Sequence, residues 1–166
     1  METFMIKQLE TQEEINGMGF VLCQSWHETY TGLIDQEYLN QITVEKGVKI
    51  AAAQKNHAMI ALVDNQVIGL VGYGPYRDED DCRVGEIYAI YVLARFQGKK
   101  VGYQLMNAAL EKLSDYDEIV LWVLKGNEKA IRFYERYGFR LDGEEKKILM
   151  GTEQTELRMI LERTER

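Results

Sequence analysis

The sequence predicts an α/β protein built on a sheet of mixed strand direction. Three observations predict it. The runs AMIALV (58–63) and QVIGLVGYG (66–74) are joined by Asp64-Asn65, which reads as a tight antiparallel hairpin. The strand-like run VGEIYAIYVL (84–93) is followed by a helix-period segment and then by IVLWVL (119–124), the pattern of a parallel crossover. Two further strand-like stretches close the chain, so hairpins flank a parallel centre.

Taken in order, Phe4–Leu9 reads as a short strand. Thr11–Thr29 reads as a helix: Thr11 and Glu14 have capping-box spacing, and Ile15, Met18, Leu22 and Trp26 recur at helical intervals. Gly32 breaks it. Gln36–Gln41 and Val44–Ala53 read as two short helices, and the 58–74 hairpin follows. An acidic loop, Arg77–Asp81, precedes the strand 84–93. Gly98–Leu113 reads as a helix, with Val101, Leu105, Ala109 and Leu113 four residues apart. Ile119–Leu124 is apolar without a break, as a central strand covered on both faces should be. Asn127 is placed to cap a short helix that ends at Gly138. Two strands then run to about Leu161.

The chain has 166 residues, which suits one domain spanning 1–166 and suffices to bury roughly 70% of the unfolded surface. Lys and Arg number 20 against 27 Asp and Glu, a net charge of −7. That balance argues against nucleic acid, whose phosphates need clustered cations, and favours a cationic partner. No apolar run approaches the ~18 residues of a membrane span, so no membrane partner is expected. The opening METFMIKQLE lacks the pattern of a signal peptide. Cys23 and Cys82 have neither disulfide-framework nor metal spacing, which fits a reducing, cytoplasmic setting without a bound metal.

The chemistry concentrates in EIYAIYVLARFQGKKVGYQLM (86–106), where a strand ends, a short loop carries Arg95, Gln97 and Gly98, and a helix begins. Unpaired backbone N–H groups and the positive dipole end make a helix start an anion site. Gly98 and Gly102 allow close approach, and Lys99 and Lys100 add charge. An ordinary strand-to-helix turn with solvated lysines reads equally well from spacing alone. Neither GxGxxG nor GxxxxGK[ST] is present, which excludes the usual dinucleotide and P-loop fingerprints.

The segment Gln97-Gly98-Lys99-Lys100-Val101-Gly102 resembles the pyrophosphate loop, Q/R-x-x-G-x-G/A, of the GNAT superfamily of N-acetyltransferases. Lys100 stands where that family usually has Gly, and a side chain fits there only if φ is helical. Asn127-Glu128-Lys129-Ala130-Ile131-Arg132-Phe133-Tyr134, followed by Tyr137-Gly138-Phe139, resembles the family's second signature, N-x-x-A-x-x-F-Y…GF. The resemblance implies the GNAT fold, about six to seven strands flanked by helices, with acetyl-CoA as cosubstrate and no metal. It places the cofactor against Tyr91, Val92, Gln97, Gly98, Lys99, Lys100, Val101, Gly102, Asn127, Ala130 and Tyr134. Asn127 would contact the pantetheine arm, the Val92 N–H would polarise the thioester carbonyl, and Tyr134 would protonate the departing thiolate. From its spacing alone, Tyr134 is equally a core aromatic in a stripe with Ala130 and Tyr137.

Direct transfer also needs a base. An alkylamine with the pKa of a lysine is free base in about one molecule per thousand at neutral pH, a cost of roughly 4 kcal/mol. Counting back from Gln97, Glu86 falls where one branch of the family carries its catalytic glutamate; an exposed strand-edge glutamate is the competing reading. The acceptor site is expected from the first helix and following loop (Trp26, His27, Glu28 and Tyr30) together with Tyr88 on the strand. Trp26 and Tyr30 one turn apart also suit core packing, and the acidic loop Asp78–Asp81 reads either as solvated or as flanking the acceptor side. The stretch Met150–Leu157 resembles the end of PaiA-type polyamine acetyltransferases. The expected activity is therefore acetyl transfer to a small cationic amine, polyamines first. Protein N-terminal or lysine acetylation is the enzyme alternative, and a CoA-binding sensor is the non-catalytic one. The family resemblance also admits a homodimer.

Overall fold

The computed structural model describes residues 3–163. One seven-stranded sheet runs through it, in the order β1-β2-β3-β4-β5-β7-β6. The strands are β1 (Met5–Gln8), β2 (Ala58–Val63), β3 (Gln66–Pro75), β4 (Val84–Val92), β5 (Glu118–Leu124), β6 (Arg140–Met150) and β7 (Thr152–Glu162). The helices are α1 (Gln12–Tyr30), α2 (Gln36–Asn40), α3 (Val44–Ala53), α4 (Val101–Lys112) and α5 (Glu128–Tyr137). Only β4 and β5 pair in parallel; every other neighbouring pair is antiparallel.

Local chemistry accounts for the boundaries. The capping box at α1 is formed in both directions: Thr11 Oγ1 accepts from Glu14 N–H at 3.1 Å, and Glu14 Oε1 accepts from Thr11 N–H at 3.0 Å. Asp64 and Asn65 have φ of 49° and 65°, the two left-handed positions that a type I′ hairpin turn demands. The β6–β7 hairpin turns at Gly151, where a Cβ would lie 2.7 Å from Asp35 Oδ2 and 2.8 Å from Tyr38 Cβ. The hairpin tip is therefore seated on α2, and Met150 joins Ile34, Leu39 and Leu124 in a small core with Trp26 and Tyr30 packed beside it.

Two sequence expectations are corrected at the same place. The helix expected from Gly98 begins instead at Val101, after a 3-10 turn, Ala94–Phe96. Its start is set by Gly98 and Lys100, whose φ values of +77° and +67° no right-handed helix contains. The helical φ expected for Lys100 is thus replaced by a left-handed one, a conformation that costs a residue with a Cβ roughly 1 kcal/mol.

The main core lies between the sheet and its helices, with Met18, Ile60, Ile68, Leu70, Leu105, Met106, Ile119, Leu121 and Met159 fully buried. Among the described residues, no helix is long and apolar enough to cross a membrane.

Candidate acetyl-transfer site

The centre of the sheet opens. β4 and β5 pair at Val84–Glu118, Gly85–Ile119 and Glu86–Val120, and pairing stops there. Beyond Glu86 the C-terminal halves of the two strands diverge, leaving ladder groups of β4 without a strand partner on that side. Bonding alternates along an antiparallel ladder. Leu93 N–H is bonded across to Ile68 O at 3.0 Å, so Val92, the next residue, directs its N–H and C=O away from β3 into the opening. The Val92 carbonyl accepts from Gln97 Nε2 at 2.9 Å.

A cleft of about 360 Å³ borders this opening, lined by residues including Glu28, Ala94, Gln97, Asn127 and Lys129. It joins the two sequence motifs. Lys129 Nζ, at the start of α5, donates to Gln97 Oε1 at 2.6 Å, a bridge across 32 positions that spacing could not reveal. A Cβ at Gly98 would meet nothing within 4 Å, so the turn is open to an approaching group. At Gly102 a Cβ would meet Phe133 Cζ at an ordinary 3.5 Å, so protein packing alone leaves room for a small side chain there. Val101 is buried and starts α4, whose first N–H groups face the turn. Lys99 lies 5.7 Å from the Phe96 ring. Open space beside Gly98, the helix start and the two lysines fit a pyrophosphate.

Asn127 caps α5, its Oδ1 accepting from Ala130 N–H at 3.4 Å. Ala130 packs against the main core, and Tyr134, one turn on, is 8% exposed. Its ring meets Phe133 and Phe139 edge-on. Burial pushes the Tyr134 phenol well above its ordinary value, and the neighbouring Tyr30 adds to this. Tyr30 and Tyr91 share a hydrogen bond, hydroxyl to hydroxyl, at 3.1 Å. Burial raises both phenols, and Tyr134 contributes to the shift of Tyr91. Three phenols from α1, β4 and α5 therefore stand together, all protonated near neutrality.

Glu86 lies at the fork where β4 leaves β5. It is 2% exposed, not an exposed edge residue. Arg77 engages both its oxygens: Oε1 accepts from the backbone N–H at 3.1 Å and from Nε at 3.3 Å, and Oε2 from Nη2 at 3.0 Å. The Arg77 guanidinium also lies 3.9 Å from the centroid of the Tyr88 ring, and the Tyr88 hydroxyl donates to Pro75 O at 2.7 Å. Sequence reasoning missed Arg77, whose loop offered only a run of charge.

The residues expected to bind the acceptor divide into separate groups. Trp26 packs edge-on against Tyr30 with centroids 4.9 Å apart, so Tyr30 joins the phenols with Trp26 behind it. Tyr88 belongs with Glu86. Glu28 instead borders the cleft with Gln97 and Asn127, where its Oε1 accepts from Ala94 N–H at 3.1 Å. His27 Nε2 lies 3.0 Å from Ile42 O and ties α1 to the loop before α3. Glu156, which lies in the Met150–Leu157 stretch but has no role of its own in that resemblance, faces this region from β7. Burial raises its carboxyl above the ordinary value; Lys146 opposes the shift, while Asp78 and Glu86 add to it.

Known proteins resemble this chain in sequence and in fold. The model of the Acetyltransferase (GNAT) family matches residues 20–139. An uncharacterized N-acetyltransferase, YuaI, of Bacillus subtilis (strain 168) is 30% identical over 138 residues, which cover 75% of this chain and 74% of that protein. The spermine/spermidine N(1)-acetyltransferase of the same organism is 31% identical over 88 residues, 49% of this chain and 57% of that protein. The crystal structure of PaiA N-acetyltransferase from Thermoplasma acidophilum, in complex with coenzyme A, shares the fold with a TM-score of 0.74 at 19% identity, covering 96% of this chain and 99% of that one. Matched over residues 20–139, a span that holds both motifs, this chain belongs to the Acetyltransferase (GNAT) family.

Proposed function

We propose that this N-acetyltransferase moves the acetyl group of acetyl-CoA directly to the primary amine of a small cationic acceptor, with polyamines as the leading class. The observation that supports the reading is the fork between β4 and β5: pairing ends at Glu86, and Val92, beyond it, turns its N–H away from β3. Acetyl-CoA supplies the activated thioester. The turn, Lys99, Lys100 and the start of α4 would hold its pyrophosphate, with Asn127 and Ala130 along the arm and Tyr91 beside the acyl end.

The protein's own groups then have separable tasks. The Val92 N–H donates to the carbonyl oxygen and stabilises negative charge as the amine nitrogen attacks. Glu86, whose orientation is fixed by Arg77, takes the proton released by the ammonium. As the carbon–sulfur bond breaks, the Tyr134 hydroxyl gives the sulfur its proton, and the second proton shed by the attacking nitrogen, as it becomes the amide N–H, restores the phenol. Tyr30 and Tyr88 wall the acceptor side, and Trp26 backs Tyr30.

Acidic side chains supply the argument for a cation. Asp78 and Glu156 are partly open around Lys146, and Glu79 and Asp80 are exposed on the neighbouring loop. Such a surface draws ammonium groups and repels anions. The likeness to a spermine/spermidine N(1)-acetyltransferase supports the same class. The test is release of free thiol from acetyl-CoA against a panel of amines and peptides. Small amines are expected to give the highest kcat/KM. Turnover confined to peptides would assign protein acetylation instead, and acetyl-CoA binding without turnover would assign a sensor.

A further inference from the structure

Charged side chains from three segments converge on the ring of Trp122. Lys146 Nζ, from β6, lies 4.2 Å from the ring centroid. The same ammonium is 2.9 Å from Asp78 Oδ2, in the loop after β3, and 3.9 Å from Glu156 Oε1 on β7. Sheet register builds the cluster: Trp122 stands opposite Arg158, and Glu156 stands opposite both Leu124 and Lys146. Directly opposed residues share a face, so Trp122, Glu156, Arg158 and Lys146 all project to one side of the sheet. The Arg158 guanidinium lies farther from the same ring, 5.9 Å from its centroid, and is fixed there by Asp142 Oδ2, 2.7 Å from Nε, and by the Tyr76 hydroxyl, which accepts from Nη1 at 3.2 Å.

An ammonium on an aromatic face between carboxylates is the arrangement by which proteins bind alkylammonium ions. Here the chain's own lysine fills it. The seat is open to solvent: side-chain exposure is 44% for Asp78, 34% for Lys146 and 22% for Glu156. Ion pairs this exposed are weak, so another ammonium can displace Lys146 at small cost. The seat also adjoins the proposed chemistry. The charges of Glu86 and Arg77 reach Glu156, and the charge of Glu156 reaches Tyr30 and Tyr91.

We propose that Trp122, Asp78 and Glu156 form an alkylammonium subsite beside the acetyl-transfer centre, where Lys146 stands in for, and competes with, a second positive charge on the acceptor. This rests on the small-amine reading above. A diamine would place one nitrogen at the fork and the other over Trp122, after Lys146 swings out. A monoamine with a neutral tail gains nothing from the subsite.

The experiment compares 1,4-diaminobutane with 1-aminobutane in the wild type, Lys146→Met and Lys146→Arg. Met keeps the apolar stem without the charge, and Arg keeps the charge. The Met variant should raise the diamine-to-monoamine ratio of kcat/KM by about tenfold, and the Arg variant should leave it near the wild-type value. Equal changes for both amines, or no change in the ratio, would overturn the subsite while leaving the small-amine reading intact. Should neither amine accept acetyl in any form of the enzyme, the small-amine reading fails instead. Calorimetry of 1,4-diaminobutane with the CoA-bound protein then decides the subsite. Tighter binding to the Met variant upholds it, and unaltered or undetectable binding overturns it.

Discussion

Glu86 and Arg77 form an ion pair in which the carboxylate is sealed from solvent and the guanidinium is half exposed, with Oε2 and Nη2 3.0 Å apart. The pair compensates a charge at the point where the sheet forks. It also fixes the direction of the carboxylate, because the Arg77 backbone N–H holds the same oxygen as Nε. The base role proposed for Glu86 holds only if the proton it takes is the one blocking the reaction. Glu86→Gln should therefore lower kcat/KM by ~10²-fold near neutrality and recover at high pH, where the amine is already free. Arg77→Met should cost roughly 3 kcal/mol of stability, since it strands a buried charge. Denaturant midpoints for both variants, with pH–rate profiles, check this. A Glu86→Gln profile parallel to the wild type at every pH would move the proton to another acceptor.

The role proposed for Tyr134 is to give a proton rather than to take one. Its burial raises the phenol, so it stays protonated through the neutral and mildly alkaline range. Tyr134→Phe removes the hydroxyl and keeps the ring contacts with Phe133 and Phe139. The variant should lose kcat, by about 10²-fold, with little change in acetyl-CoA affinity, because the proton is needed only as the thiolate leaves. Equal turnover in the two proteins would leave Tyr134 a core aromatic.

The turn offers a test of charge separate from shape. Gly98 and Lys100 both have positive φ. Gly98→Asp and Gly98→Asn introduce side chains of like size that tolerate that backbone, but only Asp adds a negative charge. CoA affinity should fall at least tenfold for Asp, about 1.4 kcal/mol, and clearly less for Asn. Calorimetry reads this directly, and equal affinities would remove the anion from the turn. Lys100→Gly should raise stability by roughly 1 kcal/mol by relieving the left-handed backbone.

How far these features could be read in advance follows from the range of the interactions. Helix α3 was legible to the residue, and the tight hairpin turn at Asp64-Asn65 was legible in place, because caps, periodicity and φ preference act within a few positions. The start of α4 was not: Lys100 carries a Cβ into a conformation that glycine normally fills, and nothing local announces that the fold tolerates it. The two motifs were visible, but not the Lys129–Gln97 bridge that joins them. Glu86 could be counted to from Gln97, whereas Arg77, Trp122 and Glu156 reach the site only through sheet register and a loop return. Pairings of that kind link residues many positions apart and leave no periodic trace. The same limit explains Glu28 and His27, which share a helix with Tyr30 but are directed to different neighbours.

Stability in acid should depend on the first strand and helix. Lys7 Nζ lies 2.6 Å from Glu14 Oε2, while Glu14 Oε1 accepts from the backbone N–H groups of Glu10 and Thr11. Burial alone would raise the Glu14 carboxyl, but these bonds outweigh it and bring it down to about 2. A depressed carboxyl contributes stability that is present above its unfolded value, near 4.5, and lost as pH falls towards about 2. Glu14→Gln preserves the capping-box spacing without the charge. It should cost about 1 kcal/mol at pH 7 and flatten the loss between pH 4.5 and 2. Urea denaturation of both proteins at pH 7 and pH 3 checks the difference, and parallel losses would place the acid sensitivity elsewhere.

The acceptor's charge should appear in the salt dependence. Asp78 and Glu156 are partly open, and the adjoining Glu79 and Asp80 are exposed, so their attraction for a cation is long-ranged and screened. The Debye length falls to about 8 Å at ~0.15 M, comparable to the span of such a cluster. The kcat/KM for spermidine should therefore drop as ionic strength rises through that range, mainly through slower encounter. A neutral-tailed amine of equal length carries only its reacting charge and should respond less. Measured side by side, the two acceptors should differ most at low salt and converge at high salt. A constant ratio across the series would mean that the acidic face plays no part in selecting the acceptor.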